Sequence, residues 1–482
     1  MTTLEELSAI TAAARAAEHA VASASDTVRA GWLRAVADSL DAHSDELVRI
    51  ADEETHLGAT RLQGEVARTT GQLRLFADVI TEGSYLEAVI DHAVPTATPP
   101  RPDLRRILHP IGPVAVFSAS NFPFAFSVAG GDTSSALAVG CPVIVKAHSG
   151  HLKLSERTAE LMLEALERAG APKGIFALVT GREVGQALVA DPVIQAVGFT
   201  GSVSGGRALF DLAVSRPDPI PFYGELGSIN PVVLTASAVA ARGAELATGL
   251  TASFTLGAGQ FCTKPGVVFV PAGAGFEAAV AEAASGASGG KLLTDRIAEA
   301  FPAGVAAIAS DPAVEVLAGE VQQEDVTAGA TPVVLGTTAA AVAERPETLL
   351  EECFGPATLL VSYDSEDELL DALRVVPGSL TATIHGQPDE DLSALVAVLR
   401  GRAGRVLFDG WPTGVAVNWA QHHGGPWPAT TSLFTSVGAT AARRFQRPVA
   451  YQSAPASVLP EALRDENPLR IPRRVDGRIE LP

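Results

Sequence analysis

The chain has 482 residues, with 35 Lys and Arg against 55 Asp and Glu and a formal net charge of −20. That length exceeds one ordinary core and predicts about three compact units, while the acidic balance repels phosphate backbones and anionic bilayers and so excludes general nucleic-acid or lipid binding. A hydrophobic share of 47% with 19% charged residues is that of a globular chain, not a disordered or fibrous one.

The start, MTTLEELSAI, is acidic and helical in period, without the basic head and apolar run of a secretory signal. No apolar run approaches the ~18 to 20 residues needed to span a bilayer. Cysteines stand only at 141, 262 and 353, an odd count without metal-type spacing, which predicts no disulfide framework, no zinc site and a reducing, cytoplasmic setting.

From Leu4 to about Phe76 apolar residues recur at helical spacing, a helical lead-in. VPTATPPRPD then breaks helix and central strand alike, predicting a loop or edge excursion over 91–103. Beyond it, short apolar runs alternate with amphipathic segments: IGPVAVFSA, SVAGGDTSSALAVG, CPVIVKA, SERTAELMLEALERAG, GIFALVT, QAVGFT and SGGRALFDLAV. Strand then helix, repeated, predicts an α/β fold with a doubly wound parallel sheet covered on both faces. A second α/β series follows Ser228 through NPVVL, GVVFVPA, TPVVLG and FGPATLLVSY, which places a boundary near 228. The last forty residues, rich in Pro and Arg, read as an arm.

Five stretches carry candidate chemistry. In VGFTGSVSGGRALFDLAV a strand runs into Gly201 and Ser202 and a helix begins near Gly205 and Gly206, which turns backbone amides and a helix dipole toward a pyrophosphate. Lys146 ends the run CPVIVKA at a strand's carboxyl edge, where ligands of doubly wound sheets sit. Cys141, inside VGCPVIV, has the setting of a core thiol, and Cys353 in EECFGP leans the same way. Cys262 differs: in LGAGQFCTKPG it has glycines and little apolar shelter, so its thiol can ionise and attack a carbonyl. Such chemistry needs an oxyanion donor and a base. Asn121 in SASNFPFAF and Glu225 in FYGELGSINP have suitable positions, although each alone also reads as a turn residue. His422 and His423 are adjacent on an extended segment and so point to opposite sides, which argues against a metal site.

The ordered set SNFPF, VIVKAH, GFTGSxxxG, ELGSINP, GQFCT and EECFGP resembles the aldehyde dehydrogenase superfamily from about residue 10 to 450. The resemblance implies a Rossmann-like NADP-binding domain over 1–87 and 110–228, an α/β catalytic domain over 229–442, and a small β oligomerisation arm from 88–109 and 443–482. It implies Cys262 as nucleophile, Glu225 as general base, and Asn121 with the Cys262 amide as oxyanion hole. Lys146, His148, Ser149, Gly201, Ser202, Gly206 and Arg207 fall at or beside cofactor positions, and Glu352 and Phe354 match those holding the nicotinamide ribose and ring. NAD-preferring relatives carry a glutamate three residues after the strand-end lysine. Here that residue is Ser149, which favours NADP and leaves NAD possible. The partners implied are a small aldehyde and further copies of the chain, as a dimer or tetramer.

Within the superfamily, GWPTGV, HHGGPWPATT, FTSVG and RRFQRPVAYQ resemble the NADP-linked branch of α-ketoglutaric semialdehyde (2,5-dioxopentanoate) and fatty-aldehyde dehydrogenases. Two residues depart from the pattern expected there: Ala416 in place of glutamate and Leu433 in place of arginine. Leu433 cannot pair with a substrate carboxylate, so either another base such as Arg68 takes that part or the substrate is less polar. Trp411, Trp419, Trp427, Phe122, Phe124 and Phe434 are candidates for an apolar funnel. Two alternatives stay open: oxidation of a hydrophobic aliphatic or aromatic aldehyde by the same route, and a catalytically silent homologue that binds or supports. A cysteine acyltransferase without redox cofactor is a third.

Overall fold

The computed structural model describes every residue except 324, 325, 327 and 328. The helical lead-in is four helices: α1 (Leu4–Ser23), α2 (Asp26–Ala42), α3 (Ser44–Thr55) and α4 (Ala59–Glu82). Thr3 and Glu6 form a reciprocal capping box that starts α1. Gly83, at φ +89°, ends α4 in the left-handed conformation and donates its N–H to Val79 O. A Cβ at Gly83 would also lie 2.2 Å from Ile471 Cγ2, so the arm packs directly on this turn.

Strands β1 (Val89–Asp91) and β2 (Leu104–Pro110) follow, and then the predicted alternation: β3 (Val114–Phe117), α5 (Gly131–Val139), β4 (Val143–Lys146), α6 (Leu152–Arg168), β5 (Phe176–Val179), α7 (Arg182–Ala190), β6 (Ala196–Thr200), α8 (Val203–Val214) and β7 (Phe222–Glu225). These strands form a parallel sheet in the order β5-β4-β3-β6-β7. One face is covered by α2, α4, α5 and α6, the other by α1, α7 and α8. The chain winds outward from β3 in both directions, so the carboxyl ends of β3 and β6 flank the switch point where such sheets bind ligands.

The second series is β8 (Val232–Leu234), α9 (Ala236–Thr255), β9 (Val267–Pro271), α10 (Phe276–Ser285), α11 (Asp295–Ala309), β10 (Glu315–Ala318), β11 (Val333–Thr338), α12 (Ala339–Glu344), α13 (Pro346–Leu349), β12 (Ala357–Tyr363), α14 (Glu366–Val375), β13 (Ser379–His385), α15 (Ser393–Leu399) and β14 (Ala403–Phe408). Its sheet runs β10-β11-β12-β9-β8-β13-β14, parallel except for the edge strand β10. Near-continuous Val, Leu and Ile in β9 and β12 reflect burial on both faces. A third sheet, β15-β2-β1-β16-β17, joins β1 and β2 to β15 (Gln446–Gln452), β16 (Arg473–Val475) and β17 (Arg478–Glu480). Among the described residues, no helix is long and apolar enough to cross a membrane.

Candidate active site

Cys262 lies in a loop between α9 and β9. Gly257, Ala258 and Gly259 all have positive φ, near 57°, 55° and 68°, a run of left-handed residues that reverses the chain at the end of α9. Gly259 is required twice over, because a Cβ there would lie 2.1 Å from Gly355 O. This close approach seats the cysteine loop on the turn that carries Glu352 and Phe354. Asn230, itself at φ +53° and fully buried, pins the loop by donating from Nδ2 to Cys262 O at 2.8 Å and to Lys264 O at 2.9 Å.

Cys262 is a half-buried residue, whereas Cys141 and Cys353 are buried. Burial and the neighbouring charge of Glu225 push the Cys262 thiol well above its ordinary value, against the pull of Arg68. At rest the group is therefore a thiol, and it needs a base to become a nucleophile.

Two groups meet that need. His423 Nε2 is 3.7 Å from Cys262 Sγ and 2.9 Å from Glu225 Oε1, and the donor atoms of the three residues lie within 4.8 Å of one another. Glu225 ends β7 and Ser436 Oγ donates to its other oxygen. Burial alone would raise the Glu225 carboxyl, yet the charge and hydrogen bonds of His423 and Ser436, with Arg444 nearby, hold it below its ordinary value. His423 is fixed through its backbone, whose N–H donates to Thr435 Oγ1 at 2.8 Å and whose carbonyl accepts from Ser436 N at 2.8 Å.

Asn121 follows β3 and is buried, its Nδ2 donating to Gln260 O at 3.1 Å. That bond uses one amide hydrogen and leaves the other for a ligand. Its own carbonyl accepts from Arg61 Nη2 at 2.7 Å, and Glu65 Oε1 accepts from Phe124 N at 2.9 Å and Ala125 N at 3.1 Å. Thus α4 holds the Asn121 loop from behind.

Beyond the cysteine a cleft of about 480 Å³ is lined by Val203 at the start of α8, Gly227, Ser228 and Glu352. Ser202 caps α8, accepting from Gly205 N at 3.3 Å. Gly206 lets the helix press on the Glu225 loop, since a Cβ there would lie 2.1 Å from Leu226 Cδ2, and Gly201 N donates to Glu225 O at 3.0 Å. Burial raises Glu352 to about 7 in spite of Lys264. Lys146 ends β4 half-buried, Ser149 opens the following turn, and His148 stacks on His151 with ring centres 5.5 Å apart. Arg207 pairs with Asp211 on its own helix at 2.8 Å. Phe354 stands half-buried beside Glu352.

The six aromatics do not form one funnel. Phe122 is in a small cluster with Phe126 and Phe261 beside Asn121. Trp411 packs on His385, with ring centres 4.6 Å apart, and over Gly249, in the core of the second sheet. Phe124 is buried in the helical core, Trp427 lies under Arg207, and Trp419 and Phe434 are exposed. Charge opposition and close glycine packing, not residue type, decided these places.

Residues 1–426 match the model of the aldehyde dehydrogenase family. The chain belongs to that family. It is an aldehyde-oxidising oxidoreductase of the NAD(P)-using kind. It is 50% identical over 462 residues to alpha-ketoglutaric semialdehyde dehydrogenase 2 of Azospirillum brasilense, covering 94% of this chain and 87% of that protein. It is 43% identical over 456 residues to alpha-ketoglutaric semialdehyde dehydrogenase of Acinetobacter baylyi, covering 93% and 86%. A crystal structure of a mutant proline utilization A from Bradyrhizobium japonicum superposes on 94% of this chain with a TM-score of 0.78 at 23% identity. The chain spans only 45% of that longer protein.

Sequence reasoning set His423 aside with His422 as a poor metal pair and missed it as a partner of Cys262. Its signal was the pair of glycines after it: a Cβ at Gly425 would lie 2.1 Å from Ser379 O, so this segment is drawn tightly against β13 and His423 is turned inward.

Proposed function

We propose that this aldehyde dehydrogenase oxidises 2,5-dioxopentanoate (α-ketoglutaric semialdehyde) to α-ketoglutarate, with NADP preferred over NAD. The carrying observation is the contact chain Cys262 Sγ, His423 Nε2, Glu225 Oε1, at 3.7 and 2.9 Å. The substrate class comes from the two semialdehyde dehydrogenases named above.

In this reading the aldehyde oxygen is held by the free Asn121 amide hydrogen and the Cys262 backbone N–H. The Nε2 proton of His423 first passes to Glu225 Oε1, and the lone pair this frees on Nε2, with Nδ1 keeping its own hydrogen, then takes the thiol proton, so sulfur gains the electron pair with which it adds to the carbonyl carbon. The adduct is a thiohemiacetal with its charge on oxygen. A nicotinamide cofactor's part, when bound, is to accept the hydride released as this adduct becomes a thioester on Cys262. Once Glu225 has given up its proton, it removes one from water, whose oxygen attacks the thioester; the acid leaves and the sulfur is restored. The lowered Glu225 carboxyl supports this base role.

The cleft lined by Val203, Gly227, Ser228 and Glu352 has room for part of a dinucleotide: α8 offers its amino end to a pyrophosphate, and Glu352 stands for the ribose hydroxyls. For NADP, Ser149 removes the carboxylate that would repel a 2′-phosphate. His148 adds no charge, because burial and the nearby His151 and Lys146 push it down to about 3; Lys146 is left as the cation. Arg207 would have to release Asp211 to help.

The test is a kinetic panel of 2,5-dioxopentanoate, succinic semialdehyde, straight-chain aldehydes and benzaldehyde with each nucleotide. Highest kcat/KM for 2,5-dioxopentanoate with NADP is expected. A higher value for octanal or benzaldehyde would replace the substrate, and a preference for NAD would replace the cofactor.

A further inference from the structure

Arg68, on α4, is a cation without a partner at the edge of the site. Its Nε and Nη2 are buried and neither finds a hydrogen-bond acceptor among the described residues. Its guanidinium lies over the Phe122 ring at 5.5 Å and the Phe126 ring at 5.3 Å. Phe126 in turn is 6.2 Å from the His423 ring, so one aromatic ring separates Arg68 from the proton relay. About two turns earlier, at seven-residue spacing and hence on the same helix face, Arg61 stacks on Phe122 and Phe261 at 5.4 and 4.7 Å and has a buried, unpartnered Nη1.

The acids nearby do not satisfy this pair. Glu65 stands between them on the helix, but its Oε1 is used by the Phe124 and Ala125 amides and its Oε2 is itself unpartnered. Burial also raises the Glu65 carboxyl, which weakens its charge. Burial lowers Arg68, opposed by Glu65, Cys262 and Glu225. Arg405, another cation that feels Cys262, has both terminal nitrogens engaged, Nη1 donating to Gly414 O at 2.8 Å and Nη2 to Pro412 O at 2.9 Å, and only its Nε idle. Leu433 is 93% exposed and offers no charge. A half-buried guanidinium with idle donors costs free energy unless an anion arrives, and a carboxylate accepts its paired N–H groups in one plane.

We infer that Arg68, assisted by Arg61, forms the subsite that receives the carboxylate of an ω-carboxy aldehyde, a role that deepens and rests on the semialdehyde reading above. The aromatic rings hold the guanidinium flat and keep water from it. The carboxylate end of the substrate docks on α4 while its aldehyde end meets Cys262. Specificity for an acid thus comes from the amino-terminal helices, and the loop at 433 is free of that task.

The test compares kcat/KM for 2,5-dioxopentanoate and for pentanal in wild type, Arg68→Met and Arg68→Lys. The acid-to-neutral ratio should fall on the order of 100-fold in Arg68→Met, mainly through KM, with partial recovery in Arg68→Lys. Wild-type enzyme should also be inhibited by glutarate competitively with the aldehyde, a readout that needs no variant to fold. A ratio unchanged in Arg68→Met, or equal losses on both substrates, overturns the subsite. If wild type favours succinic semialdehyde and the ratio for that acid collapses in Arg68→Met, the subsite stands and only the named substrate falls. If wild type favours no carboxylated aldehyde over pentanal, the subsite falls too.

Discussion

The Nε2 of His423 lies 2.9 Å from Oε1 of Glu225, across 198 residues of chain. The contact joins the loop after α15 and β14 to the last residue of β7, the edge strand of the first sheet. It places the imidazole where it can pass a proton between sulfur and carboxylate, and it holds the Glu225 carboxyl below its ordinary value against the opposing effect of burial.

His423→Ala is therefore expected to slow the first turnover on the order of 100-fold. Alkylation of Cys262 by iodoacetamide near pH 7 should slow with it, because the thiol is raised and loses its nearest base. Stopped-flow and alkylation rates equal to wild type would remove His423 from the proton path.

Asn121→Ala is expected to lower kcat by roughly 100-fold or more, the usual loss for one oxyanion donor. Cofactor binding should change little, since Asn121 sits with Gln260 and the cysteine loop on the aldehyde side. Equal losses in cofactor affinity and turnover would point instead to collapse of the loop that Arg61 and Glu65 brace.

Ser149→Glu sets a carboxylate just past Lys146, at the opening of the turn after β4. The kcat/KM ratio of NADP to NAD should fall by about tenfold or more, as a 2′-phosphate is repelled and ribose hydroxyls gain an acceptor. An unchanged ratio would show that this turn does not face the adenosine ribose.

His385 tests the acid side of stability. It is 1% exposed, both ring nitrogens are unpartnered, and burial, aided by Arg242 and opposed by Asp409, pushes it down to about 4. The unfolded chain takes up this proton near pH 6.5 and the folded chain only near 4. Stability from neutral His385 is thus complete above pH 6.5 and is lost as pH falls toward 4, by roughly 2 kcal/mol between pH 7 and 5. In His385→Leu the thermal midpoint should fall less over that interval. A drop as steep as wild type would show that other groups set the acid limit.

Much of the fold was legible because both α/β series are written in short apolar runs broken by amphipathic segments, and β3, β4, β5 and β6 fall on the runs that announced them, whereas β7, at Phe222–Glu225, was not announced as a strand. Cys262 and Glu225 stood out as a thiol and a carboxylate beside glycines, and Asn121 by its place after the apolar run IGPVAVF; the roles proposed for them came from the resemblance. What periodicity does not carry is tertiary neighbourhood. The glycines after His423 are its local signal, but only the tertiary fit of Gly425 against Ser379 O shows which histidine of the pair turns inward. Nor does composition tell that Trp411 is drawn onto the second core where Gly249 clears a place for its ring, or that Asn230 in the ELGSINP stretch clamps both sides of the cysteine peptide. Arg68 was visible as a base but not as an unpaired one, since that depends on Glu65 turning one oxygen to the Phe124 and Ala125 amides and neither to Arg68.

The most direct measurement is a rapid quench of Glu225→Gln with NADP and 2,5-dioxopentanoate, followed by peptide mass spectrometry. The account predicts that reduced cofactor rises slowly, since the thiol has lost the carboxylate that receives its proton, to about one equivalent per subunit, with a stalled second turnover and the acyl group as a thioester on the peptide bearing Cys262. Reduced cofactor formed while Cys262 stays unmodified would contradict it.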